Sequence, residues 1–136
     1  MPYFLAKTEP STYSFSQLQK EKKTVWDGIR NPQALKAIRS MKPGDSVFMY
    51  HSGGESSIVG LARVFSAPRP DPKDARLAVV DLEAVGPIDP PVTLKQIKET
   101  GLFNDWALVR QGRLSTMSVP DSFVAWLRKQ RPKLKL

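Results

Sequence analysis

Val25-Trp26-Asp27-Gly28-Ile29-Arg30-Asn31-Pro32-Gln33-Ala34 is the stretch on which the reading of this chain turns. Asn31 has the short polar side chain of a helix N-cap, and Pro32 suits the first helical position, where its missing N–H costs nothing. A helix therefore starts at Pro32. The residues before it form a loop at that helix's N-terminal end, where free N–H groups favour anionic or acceptor groups. The loop carries a tryptophan beside a carboxylate, a glycine, an arginine and an amide. An aromatic face, guanidinium and amide donors and a helix start are what a pocket for a planar, hydrogen-bonding ligand needs. Taken alone, the stretch favours the plainer alternative, with Trp26 in the core and Arg30 as a surface charge.

Outward from it, Ala34, Leu35, Ile38 and Met41 share one face of a helix over residues 32–41. Lys42-Pro43-Gly44-Asp45 is a turn, and residues 46–51 and 58–65 are strands either side of a flexible loop at 52–56. On the other side, residues 3–8 make an opening strand ended by Glu9-Pro10-Ser11. Ser14 and Gln17 have the capping-box spacing, so a short helix follows with Phe15 and Leu18 buried. Residues 24–26 then lead into the central stretch.

Further on, Pro68, Pro70 and Pro72 place a loop at residues 67–74. Residues 77–85 form the longest strand, with Asp81 and Glu83 on one face, and Pro87, Pro90 and Pro91 close it off. Thr93 with Gln96 repeats the capping-box spacing, and Gly101 suits the end of that helix. Residues 106–111 and 114–119 read as two strands around Gln111-Gly112-Arg113, and Pro120 begins a last helix burying Phe123, Trp126 and Leu127. Five or six short strands with helices between and after them predict an α+β domain. Its sheet is curled and partly closed, without regular βαβ alternation.

The 136 residues suit one domain, 1–136, with 40% apolar and 25% charged residues, as in a globular protein. No apolar run approaches the ~20 residues of a membrane span, and the opening residues lack the pattern of a secretory signal. With no cysteine and a single histidine, disulfides, thiol chemistry and Cys/His zinc sites are excluded, and no metal or cofactor is expected. Lysine and arginine number 21 against 13 acidic residues, a net charge of +8, which favours an anionic partner such as nucleic acid. Part of that excess forms a basic tail from about Arg128, expected to be flexible and to touch phosphates without selectivity.

A Ser–His–acid set can be drawn from Ser11 or Ser52, His51, and Glu9 or Asp27. Neighbouring His51 and Ser52 on one strand point to opposite faces, which makes their direct bond awkward. No nucleophile elbow, phosphate loop or dinucleotide fingerprint is present, so no residue is assigned a catalytic role.

Four segments together resemble the signature of the EVE domain, a family of the PUA-like superfamily that includes the thymocyte nuclear proteins. They are Tyr3-Phe4-Leu5-Ala6-Lys7-Thr8-Glu9-Pro10, Trp26 to Ala34, Phe48-Met49-Tyr50-His51-Ser52, and Leu108-Val109-Arg110-Gln111-Gly112-Arg113-Leu114-Ser115. The order is right and nearly the whole chain is covered. The usual opening has a tryptophan at the position of Tyr3 or Phe4, a small departure. The resemblance implies a PUA-like curled mixed sheet, or pseudo-barrel, of five to six strands with helices around it. It also implies a pocket for a modified nucleobase, as in the similar YTH domain, which reads methylated adenine in RNA; EVE members are connected with modified cytosines in DNA.

Carried over by motif, the pocket is lined by Trp26, Asn31, Tyr50, His51, Ser52, Arg110, Gln111 and Ser115, with Lys7, Glu9, Ser11 and Arg30 at the rim. An aromatic platform supplies roughly 1–3 kcal/mol per stacked base. Asn31, Ser52 and Ser115 can meet the Watson–Crick edge of an extruded base. The expected protein is a monomeric, non-enzymatic reader of DNA or RNA, cytoplasmic in a bacterium or nuclear in a eukaryote. The alternatives are an enzyme of modified-nucleotide metabolism acting through His51, and a small-molecule or peptide-binding module. The reader demands one concave site between the Trp26–Asn31 loop and the Arg110–Ser115 segment, with His51 or Ser52 nearby.

Overall fold

The computed structural model describes residues 2–54, 56–134 and 136. In chain order its elements are β1 (Tyr3–Thr8), α1 (Phe15–Glu21), β2 (Lys23–Trp26), α2 (Pro32–Ser40), β3 (Ser46–His51), β4 (Ser57–Val64), β5 (Arg69–Asp71), β6 (Asp74–Thr93), α3 (Leu94–Glu99), α4 (Ala107–Arg110), β7 (Thr116–Val119) and α5 (Asp121–Gln130). The strands form one α+β sheet in the order β2-β6-β4-β3-β1-β7, with β5 also paired to β6. β1 and β3 are parallel, and the other pairs are antiparallel. The end strands β2 and β7 do not pair, so the sheet curls without closing.

The central strands are apolar on both faces because both faces are covered. Phe4, Ala6, Val47 and Met49 face one core with Phe15 and Leu18 of α1 and Leu35 and Ile38 of α2. Leu5, Phe48 and Tyr50 face the other, with Ile97 of α3, Leu108 of α4 and Phe123 and Leu127 of α5. Phe123 is the hub of this second core, its ring centroid 4.7 Å from that of Trp106 and 5.3 Å from that of Phe103. At Gly60 of β4, a Cβ would stand 2.4 Å from the Phe15 ring, so only glycine admits α1 at this depth.

Four local expectations change. Residues 106–111 are not a strand: Ala107–Arg110 form one helical turn, with Trp106 donating its indole N–H to the Ser118 carbonyl at 3.0 Å. Prolines do not end the long strand. Ile58 pairs with Val92 and Gly60 with Pro87, so four residues of β6 face one of β4, and Pro90 and Pro91 fall where no ladder N–H is required. The short β2 and β5 add pairings to β6 at segments read as connections. Last, the basic segment is tied to the body: Arg128 and Lys129 lie in the final turn of α5, Arg128 donates to the Tyr3 hydroxyl, and Arg131 donates to the Pro90 carbonyl at 2.6 Å. Among the described residues no helix is long and apolar enough to cross a membrane.

Candidate nucleic-acid interface

Because β1 and β3 are parallel, their C-terminal ends share one edge of the sheet, with Lys7 beside Tyr50 and Thr8 beside His51. β7 begins at the same edge. The Lys7 N–H donates to the Ser115 carbonyl at 2.8 Å, and the Ser52 N–H to the Thr8 carbonyl at 3.0 Å. The Lys7 ammonium donates to the Gly112 carbonyl at 3.0 Å and stands 5.5 Å from the centroid of the Tyr50 ring. Burial lowers the pKa of Lys7 and raises that of Tyr50.

The curl of the sheet brings Trp26, at the end of β2, to this edge. Between them opens a cleft of about 370 Å³, lined by Lys7, Thr8, Thr12, Tyr13, Thr24, Val25, Trp26, Asp27 and Ile29. That volume lies at the small end for ligand pockets. Tyr13 meets Trp26 edge to face, with ring centroids 6.2 Å apart at 70°. The tyrosine is anchored by its hydroxyl, which donates to Glu21 at 2.6 Å, and by its carbonyl, which accepts from the Thr8 hydroxyl at 2.8 Å. Gly28, at φ +77°, turns the chain out of the cleft in a conformation that other residues rarely adopt. Trp26 itself is 8% exposed and packs into the α1/α2 core while lining the cleft. Its indole N–H is buried and has no hydrogen-bond partner. A donor left so costs roughly 1–3 kcal/mol, a cost that a ligand acceptor would remove.

Asn31 is committed to the helix start. Its Oδ1 accepts from the N–H groups of Gln33 (2.8 Å) and Ala34 (3.1 Å), and the Leu35 N–H goes to its backbone carbonyl. Pro32 has no N–H, so the first turn of α2 keeps no free donor for an anion, contrary to the expectation from the cap. His51 is committed as well. Its Nε2 accepts the Phe15 N–H at 3.0 Å, which caps α1 and requires the neutral ring with its proton on Nδ1. Burial lowers its pKa in the same direction.

The remaining residues singled out from the sequence are spread around this edge. Tyr50 is 2% exposed and belongs to the core. Ser52 and Ser115 join the edge through backbone groups, and the Glu9 carbonyl closes the turn by accepting from Thr12 and Tyr13. Arg110 is exposed, 3.9 Å from Asp105, and the Gln111 N–H ends α4 on the Ala107 carbonyl. Ser11 and Arg30 are exposed. Of all these, Trp26 and Lys7 line the cleft. The lining residues not singled out are Thr8, Thr12, Tyr13, Thr24, Val25 and Ile29, of which Thr8 and Ile29 stood inside the recognised segments, while Asp27 was named only as a candidate acid of the Ser–His–acid set. A larger groove of about 640 Å³ beside α3 is lined by residues such as Ser56, Thr93, Lys95 and Lys98 and has no aromatic wall. Among the described residues, no three His, Asp or Glu side chains come together as a metal would need.

The sequence profile of the EVE domain matches residues 2–130. The chain belongs to the EVE domain family. Rat thymocyte nuclear protein 1 is 38% identical to this EVE chain over 81 residues, which is 51% of the chain and 36% of the rat protein. The match thus spans about a third of that relative's length. The NMR structure of a Rhodopseudomonas palustris protein superposes with a TM-score of 0.91 at 33% identity, covering 100% of this chain and 97% of that one. Human thymocyte nuclear protein 1, solved in complex with 5-methylcytosine containing DNA, matches at a TM-score of 0.86 and 22% identity over 99% of this chain and 100% of that one, and so shares the fold.

Proposed function

We propose that this EVE domain is a non-enzymatic reader that takes a modified nucleobase of DNA or RNA into the Trp26 cleft. The observation that carries the reading is the buried, unpartnered indole N–H of Trp26 in a cleft with a second aromatic wall, Tyr13. The threonine hydroxyls and the Asp27 carboxylate along that cleft suit the donors and acceptors of a base edge. The net charge of +8 suits the flanking phosphates. The human relative's complex with 5-methylcytosine containing DNA supports a modified cytosine as the first base to try. The commitment of His51 Nε2 to the Phe15 N–H weighs against the hydrolytic alternative, which needs that lone pair as a base. The reading includes a chain that works as one domain and as a monomer.

The test is fluorescence anisotropy with single- and double-stranded DNA and RNA oligonucleotides, each with cytosine or 5-methylcytosine at one position, across a salt series. Preference for the modified base, lost in Trp26→Phe, and affinity that falls as salt rises are expected. Equal affinity for modified and unmodified strands, or binding indifferent to salt, refutes the reader.

A further inference from the structure

We infer that the groove between α2 and β7 is a second nucleic-acid site, which seats the sugar-phosphate next to the base held in the Trp26 cleft. The inference rests on the reader proposed above. β7 is an end strand, with one edge paired to β1, and α2 packs against it. Between them lies a cavity of about 320 Å³. A helix packed against a sheet edge normally meets it with apolar side chains. Here Gln33, Lys36 and Ser40, at helical spacing on one face of α2, line the cavity opposite Thr116 and Ser118.

Two observations single this groove out. Thr116 is wholly buried, yet its hydroxyl has no hydrogen-bond partner. Such a group is exceptional in a folded protein, and an acceptor or donor from outside would satisfy it. Among the described residues, Lys36 is the one charged side chain on the cavity wall, and no carboxylate lines it. One cation among hydroxyls and an amide, over an apolar floor, matches a phosphate attached to a sugar.

The position also fits. Thr116 pairs with Ala6, and the neighbouring Ser115 carbonyl holds the N–H of Lys7, a cleft residue. At the start of α2, Ile29 belongs to the cleft and Gln33 to the groove. Lys7 of the cleft and Thr116 of the groove are thus one residue along β1 and one strand spacing apart, about 6 Å. A strand with one base in the cleft carries its next sugar-phosphate over Lys7 into the groove.

The experiment compares the full chain with Thr116→Val and Lys36→Gln. The two probes are the nucleoside 5-methyldeoxycytidine and a single-stranded oligonucleotide of about ten nucleotides with that base at its centre, a length typical of single-strand sites. Both variants should bind the nucleoside as the parent does and the strand about threefold or more weakly, the loss expected for one hydrogen bond. Lys36→Gln should also flatten the salt dependence of strand binding by about 0.7 in log–log slope, the share of one phosphate. Thr116→Val should melt no lower than the parent, because its hydroxyl loses no partner in the free protein. Unchanged strand affinity in both variants, or a melting temperature lowered by Thr116→Val, overturns the groove while leaving the cleft standing. A parent that binds neither probe overturns the reader and the groove together.

Discussion

Gly60→Ala adds one methyl group where the fold has no room for it. The new Cβ would lie 2.4 to 2.5 Å from three carbons of the Phe15 ring, whereas ordinary contact begins near 3.4 Å, so the ring must retreat by about 1 Å. It has little freedom to do so. Phe15 is 4% exposed, its own N–H is held by His51 at 3.0 Å, and α1 is pinned again one turn later by buried Leu18. Overpacking of this kind costs about 1–3 kcal/mol. For a domain of this size each kcal/mol lowers the melting temperature by roughly 3–5 °C, so a drop of roughly 3–15 °C is expected. Circular dichroism melts of the parent and the variant measure it. The mechanism is then isolated in a Phe15→Leu background, where the aromatic ring that meets the methyl group is gone and the cost of Gly60→Ala should shrink by about 1 kcal/mol. An unchanged melting temperature, or an equal drop in both backgrounds, refutes the steric account.

Trp26→Ala should cost about 3–5 kcal/mol of stability, as expected for a large core residue, while Trp26→Phe keeps the fold and loses about 0.5–1.5 kcal/mol of affinity for the preferred oligonucleotide with the indole donor. Paired melts and anisotropy titrations separate the two, and a folded Trp26→Phe protein with parental affinity contradicts the proposed donor. Asn31→Ala leaves the N–H groups of Gln33 and Ala34 without their acceptor, at a cost of about 1 kcal/mol in urea unfolding, whereas Asn31→Asp should recover it. The folded-state pKa of His51 is held below its ordinary 6.5 by burial, so the unfolded chain binds more protons under acid. The resulting stability is complete above about pH 6.5 and is lost as the pH falls below it towards the folded-state value. Urea unfolding between pH 8 and 5 should therefore lose less stability in His51→Ala than in the parent; identical pH profiles count against a neutral, Phe15-bound imidazole.

Much of this fold was legible in the chain. The Asn31-Pro32 start of α2 and the Thr93–Gln96 capping box form as read, because caps depend on neighbours within three residues. Strands β1, β3 and β4 follow from runs of apolar residues buried on both faces. The single turn at Ala107–Arg110 was not legible, since four residues are too few to distinguish one periodicity from another. Nor was the passage of β6 through its prolines, which depends on β4 leaving a gap opposite them. The same division holds at the candidate site. Trp26 and Lys7 stand out by residue type beside a helix start and a strand end. Tyr13 reaches Trp26 only through the curl of the sheet, and the bond from the Phe15 N–H to His51 spans 36 positions, so nothing local announces either.

The long β6 has a consequence for how the chain comes together as it is made. It is the partner of β2, β4 and β5, and Trp26 waits for Val80, more than fifty residues on, before its strand has a neighbour. β1 can join β3 early, yet its other edge stays open until β7 emerges, with Ala6 waiting for Thr116. Both cleft walls, Lys7 on β1 and Trp26 on β2, are thus translated long before the strands that hold them. Pairing across such separations is slow, because the loop must close before any contact is gained. During synthesis the edge that carries the cleft is the last part of the sheet to be secured, although its residues are among the first to leave the ribosome.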